Sequence, residues 1–141
     1  MTRKPITGRC FCGAAQFEVS SAPILKRACW CRDCQYLSCG NASINVVFAS
    51  GDIAIKGELS EYASVADSGQ IIRRRFCPTC GTQMFSEAMS QPGYIVVRVG
   101  TLDQPNIAEP TSVIWTASAP DWAWINPHIP RFEKHVEAVP E

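Results

Sequence analysis

The stretch Cys29-Trp30-Cys31-Arg32-Asp33-Cys34 places three cysteines within six residues, and the other cysteine motifs lie on either side of it. Cys10-Phe11-Cys12-Gly13 precedes it, and Phe76-Cys77-Pro78-Thr79-Cys80-Gly81-Thr82 follows it. Zinc in proteins prefers four donors at the corners of a tetrahedron, with thiolate sulfurs about 2.3 Å from the ion. Cysteines spaced this closely are metal-ligand candidates, and the question is which sulfurs share an ion.

The bulk composition is typical of a small globular domain. The chain has 141 residues, of which 46% are hydrophobic, and its 13 basic and 13 acidic residues cancel. This length predicts one domain with one core. The zero net charge argues against a nucleic-acid partner, and no apolar run approaches the ~20 residues of a membrane span. Arg3 and Lys4 are not followed by an apolar segment, so no signal peptide is predicted and the expected location is the cytoplasm.

Seven of the eight cysteines lie in closely spaced groups, which are predicted to bind metal rather than to form disulfides. The cytoplasm keeps thiols reduced, whereas a secreted chain would use an even number of cysteines as a disulfide framework. Cysteines in C-x-C and C-x-x-C spacing are also poor partners for structural disulfides but good chelators.

The order of the cysteine motifs along the chain, and the number of sulfurs in each, divide seven of the sulfurs between two ions. Two units of two sulfurs, each followed directly by glycine, together supply four thiolates: Cys10, Cys12, Cys77 and Cys80. Four protein ligands close the coordination sphere, which is the arrangement of a structural zinc. A group of three sulfurs remains: Cys29, Cys31 and Cys34. Three donors and an open fourth position are typical of a catalytic zinc, here predicted to be only partly occupied.

Short runs of alternating or β-branched residues predict a mainly β fold. The clearest predicted strands are 15–19, 44–49 and 94–99, and turn residues recur at intervals of about 8–12 residues. Residues 35–41 are predicted to begin as a helical turn, and residues 119–124 to form one helical or 3₁₀ turn.

The three cysteine motifs together resemble the glutathione-dependent formaldehyde-activating enzyme family. That family includes S-(hydroxymethyl)glutathione synthase and the animal centromere protein V group. The resemblance extends from about Gly8 to about Phe132 and includes the stretch from Gly57-Glu58-Leu59 to Tyr62. It implies a single-domain β-tent fold, in which antiparallel sheets surround the zinc sites. Residues 1–8 would then be a lead-in, residues 9–133 the family domain and residues 134–141 a tail.

The resemblance also implies two zinc ions on the two cysteine groups, and an activity. The named family activity joins glutathione and formaldehyde into a hydroxymethyl thioether and is classed with carbon–sulfur lyases. We therefore expect a zinc-dependent enzyme that acts on glutathione or a related small thiol and a small aldehyde. Its catalytic residues would be the ligands of the open zinc, Cys29, Cys31 and Cys34.

A zinc ion held by three thiolates favours one kind of chemistry. The unit carries a net charge of −1, so the ion is a weakened Lewis acid and a poor source of hydroxide. It is better suited to holding an incoming thiol as thiolate, because coordination lowers a thiol pKa that is normally ~8.5. We expect the substrate sulfur to take the open position and to attack a small carbonyl.

Two positions in or near the trio remain open to interpretation. Members of the family commonly carry histidine where this chain has Trp30, which would instead offer an apolar or cation–π surface beside the zinc. Cys39 either closes the second site as a fourth ligand or is a small buried hydrophobe with an inert thiol, and the second interpretation is the commoner one for a lone cysteine.

Basic residues near the motifs are candidates for binding an anionic ligand. Arg32, inside the trio, either contacts such a ligand or bonds local carbonyls. Arg73-Arg74-Arg75 is more often a solvated face of a strand, on which Arg73 and Arg75 form the pair that could act together. The remaining aromatic and titratable candidates are assigned to core or lid packing (Trp115, Trp122, Trp124) and to the surface (His128, His135).

A second class of function stays open at this point. In this alternative, both zinc ions would be structural, and the chain would be a non-catalytic binding module for a protein or nucleic-acid partner. An exchangeable second zinc that binds glutathione would favour the enzyme over the module.

Overall fold

Antiparallel strands dominate the structure, a computed structural model that describes residues 4–135. The strands are β1 (Ile6–Arg9), β2 (Gln16–Val19), β3 (Leu25–Cys29), β4 (Ser43–Ala49), β5 (Ile53–Lys56), β6 (Ser60–Val65), β7 (Ile71–Phe76), β8 (Gln83–Ala88), β9 (Tyr94–Arg98) and β10 (Ser112–Ile114). The helix α1 spans Arg32–Leu37, and 3₁₀ turns span Ser50–Asp52, Val99–Thr101, Pro105–Ala108 and Thr116–Ser118. The prediction of a mainly β single domain is confirmed.

The strands form two sheets. The smaller has the order β1-β2-β5 and the larger the order β10-β3-β4-β9-β8-β7-β6. The described strand pairs are antiparallel except for β10 with β3, which is parallel. Antiparallel neighbours need only short turns, whereas the parallel pair is joined by the long chain between residues 29 and 112.

The main core lies between one face of the larger sheet and the smaller sheet. Alternation along the central strands buries five side chains to 1% exposure or less: Val46, Phe48, Phe85, Ile95 and Val97. Phe17 of β2 meets Phe85 edge to face, with ring centroids 5.2 Å apart. Because successive side chains of a strand point to opposite faces, the residues between these positions face away from the core.

Trp30 lies in a second apolar cluster and is 3% exposed. It packs with Ala28 and Val113, and its ring meets that of Trp122 at 6.3 Å. The expectation that Trp30 would offer a surface beside the metal site is therefore wrong. Trp30 follows Cys29 at the end of β3, and neighbouring side chains in an extended chain point to opposite sides.

The two ends of the chain differ in part from the sequence prediction. Residues 6–8 of the predicted lead-in belong to β1, which pairs with β2. Residues 130–134 return along β10, where Phe132 N–H donates to the carbonyl of Val113 at 2.9 Å. Of the predicted tail, residues 136–141 lie outside the described residues. The structure describes no helix long and apolar enough to cross a membrane within residues 4–135.

Gly57, which follows β5, approaches the segment directly after the first cysteine turn. Its φ is +99°, and an added Cβ would lie 2.3 Å from the carbonyl oxygen of Ala14. We expect Gly57→Ala to lower the free energy of unfolding by roughly 1–3 kcal/mol in urea denaturation, because the backbone must shift to admit the methyl group. Gly51→Ala is the control, since nothing lies within 4 Å of its Cβ position. Equal stability of the two variants would contradict this account.

Candidate metal centres and the adjoining cavity

The structure brings seven sulfurs together in the two predicted groups. Within each group the sulfur atoms lie within 4.8 Å of one another: Cys10, Cys12, Cys77 and Cys80 in one, Cys29, Cys31 and Cys34 in the other. All eight cysteines are free thiols. The two groups are therefore able to bind metal.

The four-cysteine group has the spacing of a tetrahedral thiolate site. The sulfur of Cys12 lies 3.6 Å from that of Cys10 and 3.8 Å from that of Cys77. Thiolates placed ~2.3 Å from one ion at tetrahedral corners are about 3.8 Å apart. Cys10 and Cys77 are also buried, at 1% and 0% exposure. Four converging sulfurs leave no open corner, which fits a structural ion.

Backbone N–H groups point at the sulfurs of this group. The N–H of Ala15 donates to Cys10 Sγ at 3.3 Å, and the N–H of Thr79 donates to Cys77 Sγ at 3.4 Å. Hydrogen bonds from N–H groups favour the thiolate form that a metal requires. The two turns are thus shaped for charged sulfurs.

The three-cysteine group lies where β3 ends and α1 begins. Cys29 closes β3, and Cys31 is the N-cap of α1, where its sulfur accepts from the N–H of Cys34 at 3.4 Å. Cys29 and Cys34 are buried and Cys31 is half-buried. The first helical turn therefore returns Cys34 to the side of Cys31 and Cys29.

Cys39 joins neither group of the described residues, and it is exposed. Both interpretations of this residue were therefore wrong. It follows α1 with a φ of +58°, and this left-handed position just past a helix end turns its side chain outward.

The three thiols of this group titrate as a unit. Hydrogen bonds from the thiols of Cys29 and Cys31 lower the pKa of Cys34 to about 2, and the charge of Arg98 acts in the same direction. The hydrogen bond with Cys31 and the crowding of the other sulfurs raise the pKa of Cys29 far above its usual range. Without an ion the group is therefore one thiolate beside two thiols, and a divalent metal ion that displaces their protons fits this cluster.

A cavity of about 150 Å³ opens onto the three-cysteine group. Its floor is the face of the larger sheet that points away from the main core. In register across β3, β4 and β9 lie Arg27, Asn45 and Arg98. Ser86 and Arg74 pair across β8 and β7 beside them. All five side chains line the cavity together with the three cysteines.

Arginine side chains dominate the charge of the cavity. Arg98 donates through Nη1 to Asn45 Oδ1, and burial lowers its pKa. Arg74 is 7% exposed, donates through Nη1 to Ser64 Oγ at 2.6 Å and lies 3.5 Å from the carboxylate of Asp33 in α1. Burial likewise lowers the pKa of Arg27. Arginine remains protonated in proteins, so all three carry positive charge.

The predicted anion-binding residues lie elsewhere. Arg32 is exposed; it donates to Gln35 Oε1 at 2.6 Å and stacks 5.1 Å above the ring centre of Tyr36, outside the lining of the cavity. Arg73 and Arg75 both bond Glu87, at 3.1 and 2.6 Å. The favoured interpretation of the run as a solvated face does not hold for Arg74, which is buried and lines the cavity. Arg73 and Arg75, the alternative anion-binding pair, lie outside the lining.

Sequence reasoning missed Arg27 and Arg98. Arg98 is a single charge at the end of an apolar strand, whereas Arg27 follows Lys26 and gives no such signal. Only the strand register shows that both residues pair with Asn45. His135 was assigned to the surface; it is exposed and also lines the rim of the cavity, as does Trp115. Trp122 and Trp124 were assigned to packing but are 70% and 77% exposed.

Comparison with known proteins gives a family and a fold. Residues 5–118 match the family model described as "Glutathione-dependent formaldehyde-activating enzyme". A crystal structure of a Rhodobacter sphaeroides protein is similar, with a TM-score of 0.57 and 20% sequence identity. The similarity covers 89% of this chain and 98% of that protein, and at this identity it supports the fold alone. A search of curated proteins gave no match.

Replacing one ligand of the four-cysteine group is expected to remove its metal ion and to destabilise the fold. Cys77→Ser should remove one metal equivalent per chain and lower the free energy of unfolding by roughly 4–5 kcal/mol or more, because metal binding at this site contributes to folding. Metal analysis and thermal unfolding measure both effects. Cys39→Ser is the matched control and should change neither. A Cys77→Ser protein with full metal content and unchanged stability would refute the assignment.

Proposed function

The chain belongs to the glutathione-dependent formaldehyde-activating enzyme family, and from that premise we propose that it adds a small thiol such as glutathione to a small aldehyde. One observation carries the proposal. The four-cysteine group is closed by its own sulfurs, whereas the three-cysteine group lies in the wall of a cavity. A ligand in that cavity can therefore reach the second group.

We infer that both groups bind zinc. Among the common divalent cations, zinc is the one that thiolate ligands favour. Its usual sites have either four protein ligands or three protein ligands and an open position. When bound to the trio, zinc would hold a substrate thiol in its reactive thiolate form.

The side chains of the cavity support the addition step. Cys29, Cys31 and Cys34 would hold the ion, and the contact between Arg74 and Asp33 holds α1 near β7. In the reaction the thiolate electron pair forms the new carbon–sulfur bond. The thiol proton passes to solvent as the thiolate forms, and the carbonyl π electrons move to oxygen, which takes a proton back from solvent. Thiol and aldehyde thus combine into one hemithioacetal, which for formaldehyde is the hydroxymethyl thioether. Apolar side chains at Val47, Val96 and Ile114 reduce the water around the sulfur.

The cavity favours an enzyme over a non-catalytic binding module. A purely structural second zinc would not require one buried and two half-buried arginines beside it, because withdrawing charge from water costs stability. The zero net charge of the chain also disfavours a nucleic-acid partner. We place the reaction in the cytoplasm, where small thiols and the cysteines of the two groups stay reduced.

Cys29→Ser is expected to abolish turnover while the protein stays folded, because Cys29 is outside the four-cysteine group. The catalysed rate of hydroxymethyl thioether formation should fall by about 100-fold or more. Exchange-resolved proton NMR of a glutathione and formaldehyde mixture measures this rate above the uncatalysed background. Cys39→Ser should retain the wild-type rate. If Cys29→Ser also retained it, the trio would have no catalytic role.

A further inference from the structure

We propose that the cavity contains a carboxylate subsite formed by Arg27, Arg74 and Arg98, so that the preferred thiol carries a carboxylate close to its sulfur. The minimal ligand of this class is a short mercaptocarboxylate, and the remainder of a peptide such as glutathione is not required. The thiol part of this inference rests on the proposed function, whereas the subsite rests on the arginines alone.

The first support is the excess of positive charge in the cavity. Arg74 is buried, and Arg27 and Arg98 are half-buried beside it. Asp67, which is exposed, is the one carboxylate among the described residues that line the cavity. Asp33 contacts Arg74 from outside the lining, at 3.5 Å.

The carboxylate of Asp67 is exposed, so solvent screens its charge and it does little to neutralise the arginines. Of the less exposed groups, a divalent ion on three thiolates would leave one negative charge and Asp33 would supply a second, whereas the guanidinium groups carry three positive charges. Buried positive charge without a partner is strongly destabilising, and an anionic ligand would neutralise it.

The second support is an unpartnered donor. Arg74 Nε is buried and has no hydrogen-bond acceptor among the described residues. The Nε atoms of Arg73 and Arg75 are also unpartnered, but their side chains are paired with Glu87 and lie outside the lining of the cavity. An oxygen of a ligand in the cavity would give Arg74 the acceptor that it lacks.

The third support is the position of Arg98. Its charge acts directly on the sulfurs of Cys34 and Cys29, so an anion bound by Arg98 lies near the three-cysteine group. The cavity volume of about 150 Å³ suits a compact ligand. Guanidinium groups bind carboxylates through paired N–H donors, and such charge-assisted bonds are about twice as strong as neutral ones. The ligand should therefore have only a few bonds between sulfur and carboxylate.

Calorimetric titration of the zinc-loaded protein tests this subsite. The probes are 3-mercaptopropionate, its neutral isostere 3-mercaptopropionamide, and propionate, which lacks the thiol. We expect the acid to bind at least about tenfold more tightly than the amide, and propionate to bind weakly and compete with the acid. Arg74→Gln should reduce the preference for the acid to nearly one.

Two further variants keep the test decisive. Arg74 also contacts Ser64 and Asp33, so Arg27→Gln serves as a second variant if Arg74→Gln fails to fold. Arg73→Gln is the matched control, because it removes the same charge from the same strand outside the cavity, and it should retain the tenfold preference. Equal binding of acid and amide by the wild-type protein would overturn the subsite. So would an Arg73→Gln variant that loses the preference for the acid to the same extent as Arg74→Gln.

The two proposals fail in different ways. Arginine-dependent binding of propionate without turnover of any thiol would leave the subsite standing and remove the proposed function. Turnover of acid and amide with equal affinity would support the function and remove the subsite.

Discussion

The sulfurs of Cys12 and Cys77 lie 3.8 Å apart although 65 positions separate the two residues in the chain. Cys12 belongs to the turn after β1 in the smaller sheet, and Cys77 belongs to the turn between β7 and β8 in the larger one. A metal ion on the four-cysteine group would therefore join the two sheets at one end, while the apolar core between them holds the remainder. Such an ion would fix the position of the two sheets relative to each other at that end.

Because side chains alternate along its strands, the larger sheet packs one face in the core and lines the cavity with the other. Val46, Phe48 and Val97 point to the core, whereas Asn45, Val47 and Arg98 point to the cavity. The cavity face can therefore carry arginines without interrupting the core. The three-cysteine group comes to the same face because Cys29 ends β3 in register with Ser43 of β4.

Local patterns were enough to predict most of the strands, the two cysteine groups and the mainly β class, but not β1, which the sequence analysis assigned to a lead-in. The turns of Cys10 to Gly13 and Cys77 to Gly81 have short spacings whose chemistry is readable without a structure. The pairing of strands that are distant in sequence could not be predicted, and this pairing decides which side chains come together in the cavity. Arg27 and Arg98 meet across Asn45 only because three strands pair in one order. The face to which Arg74 points depends likewise on which side of β7 packs inward.

Cadmium-113 NMR of the protein with cadmium in place of its native metal tests most directly whether four sulfurs close one site while three leave another open. The account predicts two signals of equal area, one of which shifts when glutathione is added while the other does not. A single signal, or two signals that are both unaffected by the thiol, would contradict it.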